Sequence, residues 1–141
     1  MRLRRKPVDE AVRLVMVATD RSETAERAVR FATEMASRYE AELLVLRVLV
    51  GTDVSRADAV RDLEEYVAGL DGERKRAAVV SGDDPADAIV AAAQREHADA
   101  LVVGSVGMSG RREFLLHNVP NRVSHNAPCT VVIVQTHRED A

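Results

Sequence analysis

Short apolar runs recur along this chain, and each is followed by a stretch whose apolar positions fall every three or four residues. The run Leu14–Ala18 (LVMVA) ends in Thr19-Asp20 and reads as a buried strand. Ser22 then offers a helix N-cap, and Ala25, Ala28, Val29, Ala32, Met35, Ala36 and Tyr39 follow on one helical face. Residues 43–50 form a second apolar run, interrupted only by Arg47. Residues 51–56 read as a loop, 57–68 as a polar helix and 69–72 as a turn. A third strand is expected over 76–81, closed by Gly82-Asp83-Asp84-Pro85. There Asp84 suits an N-cap, Pro85 the first helical position, and Asp87 completes a capping-box-like spacing. Ala88, Ile89, Ala92 and Ala93 give the next helix its apolar face, and residues 100–103 form a fourth strand running into Gly104. Residues 104–110 are a glycine-rich loop and 119–126 a helix that tolerates Pro120 in its first turn. Thr130–Val134 is the fifth strand.

Strands alternating with helices imply a parallel sheet with right-handed crossovers and helices on both faces. The length of 141 residues suits one domain with a sizeable core. Aromatics make up only 3%, so Val, Ala, Leu and Ile must fill that core, as they do in buried parallel sheets. The expected layout is a basic tail over 1–11, a domain over 12–134 and a polar tail over 135–141. Arg2, Arg4, Arg5 and Lys6 read as a solvated end rather than a lipid or nucleic-acid arm, and the net charge of −3 argues against general nucleic-acid binding. No stretch approaches the roughly 20 apolar residues of a membrane span. The single cysteine, Cys129, fits a reducing cytoplasm.

In such sheets a ligand sits at the carboxyl ends of strands where the strand order reverses. Two strand ends carry suitable residues: Thr19-Asp20 after the first, and the loop from Gly104 after the fourth. Gly104, Gly107 and Gly110 recur every third residue. Glycine lets a ligand approach the backbone, and loop N–H groups followed by a helix N-terminus make an anion site. The same spacing also fits a tight strand-to-helix connection without a ligand. The loop lacks the lysine of a phosphate-binding Walker loop, and its spacing is not the dinucleotide fingerprint.

The stretch from Leu101 to Val134 reads LVVGSVGMSGRREFLLHNVPNRVSHNAPCTVVIV. It resembles the signature of the universal stress protein family: glycine, two residues, glycine, nine residues, then glycine and serine or threonine. Gly104 and Gly107 match the first pair, and residues 108–116 are the nine. VATDRSETA at 17–25 resembles the family's start, as does the passage from Gly82 through a capped helix and Asp99 to Gly104. The resemblance implies a Rossmann-like fold of the adenine nucleotide alpha hydrolase-like type, a five-stranded parallel sheet of order 3-2-1-4-5 with about four helices. It also implies two branches, one binding ATP, with Mg2+, and one not. In the binding branch Asp20 lies near the nucleoside and the backbone of Val48 meets adenine. Val103, Gly104, Ser105 and Gly107 hold ribose and phosphates, and the motif ending at His117, Asn118 and Val119 caps the phosphates. His117-Asn118 replaces glycine-serine here, so the imidazole either obstructs phosphate or, protonated, donates to it. Many members pair through the last strand, implying a homodimer through Thr130–Val134.

The other constellations point to no catalysis. His97, His117, His125 and His137 have no close metal-ligand spacing, so no metal site is expected. Ser105 and Ser109 are not in a nucleophile elbow, Cys129 reads as a small buried hydrophobe, and Arg111 and Arg112 read as a solvated face or as phosphate ligands. Arg47, a charge inside an apolar strand, needs a partner, and Asp20 is one candidate. The leading expectation is a non-enzymatic, cytoplasmic regulatory module that binds an adenine nucleotide over residues 104–118 and acts on an unknown protein partner. A nucleotide-independent dimeric interaction protein and a slow ATPase are the alternatives.

Overall fold

The structure, a computed structural model, describes residues 11–51, 54–105 and 118–135. In chain order the elements are β1 (Leu14–Ala18), α1 (Ala25–Tyr39), β2 (Glu42–Leu49), α2 (Arg56–Ala68), β3 (Lys75–Ser81), α3 (Pro85–Glu96), β4 (Ala100–Gly104), α4 (Asn118–Asn126) and β5 (Thr130–Val134). The five strands form one parallel sheet of order β3-β2-β1-β4-β5. Each element falls within a residue or two of its expected place. β2 and β3 each start one residue earlier than their apolar runs because pairing recruits a polar neighbour. Glu42, for example, donates its N–H to the Arg13 carbonyl at 2.9 Å. Val50 overshoots the β2–β3 ladder and is 54% exposed.

Side chains alternate across the strands, so the sheet divides the core in two. Val15, Val17, Leu43, Val45, Leu49 and Val102 pack with Ala28, Val29 and Ala32 of α1 and Leu63 and Val67 of α2. Leu14, Met16, Leu44, Leu46, Leu101 and Val103 pack on the other face with Ile89, Ala92 and Ala93 of α3 and Val119 and Val123 of α4. Alanines on α1 and α3 let those helices approach the sheet closely, which suits a core nearly free of aromatics.

Local signals set the helix ends. Asp84 accepts the N–H groups of Ala86 and Asp87 at 3.0 and 3.4 Å, with Pro85 first in the helix. Asp87 does not close a capping box; its carboxylate takes Arg122 of α4 at 3.0 Å, because a charged partner outbids a backbone N–H already near water. Ser22 stands two residues before the cap position of α1, Thr24, yet its Oγ still accepts the Ala25 N–H at 3.3 Å. Asp99 fixes the start of β1 by accepting the N–H groups of Arg13 and Leu14 at 2.9 and 3.0 Å.

Candidate functional site

Because all five strands are parallel, their carboxyl ends share one edge, and the helix N-termini lie there too. From β1 the chain winds outward through β2 to β3, then crosses back to place β4 on the other side of β1. The strand order therefore reverses between β1 and β4, and their carboxyl ends are where an open α/β sheet takes its ligand.

The β1 end is a tight polar turn. Thr19 is 2% exposed and donates its N–H to the Leu46 carbonyl at 2.9 Å, continuing the ladder one residue past the strand. Its Oγ1 accepts the Arg21 N–H at 2.9 Å, and the Asp20 Oδ1 accepts the Ser22 N–H at 2.9 Å. Two side chains thus satisfy two backbone donors that no strand or helix can reach. Asp20 Oδ2 has no partner among the described residues and remains free to accept. Arg21 adopts the left-handed region at φ 66°, uncommon for a side-chain-bearing residue. Its guanidinium carbon lies 3.8 Å from the centre of the Tyr66 ring, and its Nε is 3.3 Å from Asp62 Oδ2, both on α2. Tyr66 in turn donates its hydroxyl to Glu26 at 2.8 Å, and burial with that hydrogen bond pushes its pKa well above the usual tyrosine value.

The β4 end is tied sideways to β5. The Ser105 N–H donates to the Val134 carbonyl at 2.8 Å and its Oγ to Gln135 Oε1 at 2.6 Å. Arg27 of α1 donates to the Gln135 carbonyl at 2.9 Å. The start of α4 is held from α3, where Arg122 meets Asp84 at 2.7 Å and Asp87 at 3.0 Å. Desolvation works to raise the Asp84 pKa, but Arg122 and the backbone N–H groups of the cap outweigh it, and the carboxyl is held below its ordinary value.

Of the sequence-derived candidates, the topology brings Asp20, Val48, Val103, Gly104, Ser105 and Val119 to the carboxyl-end half of the fold. Gly107 and His117 lie outside the described residues; Asn118 opens α4. The Val103 and Val119 side chains are 1% and 4% exposed, so only their backbone could meet a ligand. Val48 is half-buried on the α3–α4 face. Asp20 does not pair with Arg47: its bound oxygen serves its own turn, and Arg47 finds no ion-pair partner among the described residues. Arg47 is instead half-buried, and strand alternation puts it on the face that carries Val45 and Leu49. Sequence reasoning gave Arg21 no role, since nothing in the local pattern marks a left-handed arginine. Among the described residues, a cavity of about 310 Å³ lies between α1 and β5, lined by Arg27, Phe31 and Val134, and two others lie further off. One of about 390 Å³ is lined by Ser37, Glu40, Asp71 and Arg74, and one of about 510 Å³ by Arg30, Glu34 and Leu70. Both flank the α1 carboxyl end, at the opposite edge of the sheet. Among the described residues no cluster of His, Cys, Asp and Glu could hold a metal, and no helix is long and apolar enough to cross a membrane.

The family model described as the universal stress protein family matches residues 12–135. Universal stress proteins from two Mycobacterium tuberculosis strains are 33% identical over 89% of this chain and 98% of their own length. A crystal structure of a universal stress protein in complex with cAMP is 31% identical, with a TM-score of 0.72 over 90% of this chain and 99% of that one. The universal stress protein UspA from Lactobacillus plantarum, 22% identical, shares the fold at a TM-score of 0.70 over 88% of this chain and 98% of its own.

Proposed function

Because the chain belongs to the universal stress protein family, we propose that it binds an adenine nucleotide across the carboxyl ends of β1, β2 and β4 and serves as a cytoplasmic regulatory module that changes protein partners with its ligand. The observation that carries this reading is Asp20. Its carboxylate stands beside the point where strand order reverses, braced through Oδ1 and free at Oδ2. A braced acceptor there suits the hydroxyls of a ribose or the amino group of a purine. The relative crystallised with cAMP supports the adenine moiety.

ATP, with Mg2+ on its phosphates, is the fuller form of the ligand. Its phosphates would lie between Gly104-Ser105 and the first turn of α4, where helix N–H groups favour anions. Gly107 and His117 join this assignment through the sequence motif alone. Titration with ATP, AMP and cAMP, each with and without Mg2+, tests the reading: saturable micromolar binding of at least one is expected, and no binding of any overturns it.

The module acts as a homodimer through β5. Among the described residues that strand is the sheet edge next to β4; Ile133 is 44% exposed on one face, and Phe31 of α1, which lines a cavity with Val134 on the other, is 45% exposed. An apolar edge with unpaired N–H and C=O groups needs covering, and the same strand of a second copy does so by two-fold symmetry. This edge also favours a second reading, a dimeric interaction protein that works without nucleotide. Sedimentation as a dimer together with silence in the titrations would select it.

A further inference from the structure

We propose that Arg21 is a positioning residue for Asp20, and that its clamp onto Tyr66 and Asp62 makes α2 a lever on nucleotide affinity. The inference rests on the nucleotide reading of Asp20 given above.

The β1–α1 turn is a chain of dependent contacts. Arg21 donates its N–H to Thr19 Oγ1, and Ser22, the next residue, donates its N–H to Asp20 Oδ1, both at 2.9 Å. The direction of the Ser22 N–H is set by the backbone of Arg21, which sits at φ 66°. Rotating Arg21 back to negative φ would swing that N–H away and release the Asp20 carboxylate. Left-handed backbone is disfavoured for arginine, so the turn holds only if something outside it fixes the residue.

The side chain supplies that hold. The Arg21 guanidinium lies 3.8 Å from the Tyr66 ring centre, with Nε 3.3 Å from Asp62, and is largely shielded from water at 28% exposure. The Tyr66 hydroxyl is itself fastened to Glu26 in the first turn of α1. The turn that carries Asp20 is therefore pinned between the start of α1 and the second half of α2, where Asp62 lies 41 residues along the chain from Arg21. Neither Tyr66 nor Asp62 belongs to a strand end, so their contribution to binding passes through Arg21. Displacing α2, by a partner on its outer face, would loosen the clamp and free Asp20.

The test uses isothermal titration of the full chain with cAMP and ATP. Arg21→Ala deletes the clamp and leaves a residue that disfavours the left-handed backbone. It is expected to weaken binding about threefold to tenfold, and Arg21→Gly, which adopts that backbone without a clamp, is expected to recover most of the affinity. Tyr66→Leu removes the ring from α2 and is expected to weaken binding by a similar factor. The double variant is expected to lose no more than the larger single loss, because both act through one contact. Arg21→Lys, which keeps a cation over the ring, is expected to recover part of the affinity. Full affinity in Arg21→Ala overturns the inference. So does a loss in Arg21→Ala that Arg21→Gly shares in full and Tyr66→Leu does not, which would put Arg21 on the ligand itself. Wild type that binds neither nucleotide overturns the nucleotide reading, and this inference with it. Wild type that binds beside an unaffected Arg21→Ala overturns this inference alone.

Discussion

Asp20→Asn separates the charge of the candidate site from its fold. Asparagine keeps an oxygen where Oδ1 accepts the Ser22 N–H at 2.9 Å, so the β1–α1 turn survives. What changes is the free oxygen, which becomes an amide that donates where the carboxylate accepted. A ligand hydroxyl or amino group facing it loses a hydrogen bond to a charged acceptor, about 1.5–3 kcal/mol. That corresponds to an affinity loss of about tenfold to 150-fold. Stability should hardly move. A chain of 141 residues unfolds with an entropy of about 0.3 kcal/mol per degree, so a surface change within about 0.5 kcal/mol shifts the melting temperature by under about 2 °C. Asp20→Ala also removes the turn's acceptor and should cost about 1 kcal/mol more, a fall of about 3 °C. Isothermal titration and thermal unfolding of wild type and both variants read the two effects separately. Binding by Asp20→Asn within twofold of wild type would refute the role given to Oδ2, and a melting temperature as low as that of Asp20→Ala would refute the separation of charge from turn.

Three other outcomes are open to measurement. Leu101→Ala, at a fully buried position of β4, should cost about 3–5 kcal/mol and lower the melting temperature by about 10–15 °C; a fall under 3 °C would show that β4 is not the packed centre of the α3–α4 face. Ile133→Pro should convert a dimer to monomer in sedimentation with the fold intact. The Val134 carbonyl faces β4, so by alternation Val132 bonds inward and Ile133 outward; a variant that stays dimeric, or wild type that sediments as a monomer, would remove β5 from the interface. The lowered pKa of Asp84 means the unfolded state binds its proton first, so the stability from this carboxylate is present above the ordinary value of 3.8 and is lost as pH falls below it. Urea unfolding should therefore show Asp84→Asn less stable than wild type at pH 7 and the gap narrowing as pH falls below 3.8, and an unchanged gap would contradict the pairing with Arg122.

The elements were legible because each strand and most caps carry a local mark, whereas the strand order came with the family resemblance. Apolar runs of strand length, Asp84-Pro85 and the strand-ending Thr19-Asp20 depend on near neighbours alone. What was not legible depends on distant residues choosing among partners. Arg47 and Asp20 lie on adjacent strands, which suggested a pair, but the Asp20 oxygen had a closer claimant in the Ser22 N–H. Asp87 had the spacing of a capping box, yet Arg122, 35 residues on, took its carboxylate. Tyr66 sits on the core-facing side of α2 and reads as packing; its contact with Arg21 follows from a backbone angle that no residue type announces.

The two halves of the candidate site are anchored from opposite faces of the sheet, each by one arginine. Arg21 ties the β1–α1 turn to α2 on one face, and Arg122 ties α4 to the cap of α3 on the other. The buried layers between these ties are separate: Leu63 and Val67 of α2 belong to one cluster, Val119 and Val123 of α4 to the other. Neither tie reaches across the strands. A nucleotide with its nucleoside at Asp20 and its phosphates at α4 would touch the elements that both ties hold. Its binding energy would then favour conformations in which both faces are closed together. That is the property a regulatory module needs, because a partner touching only α2 or only α3 would feel whether the ligand is present.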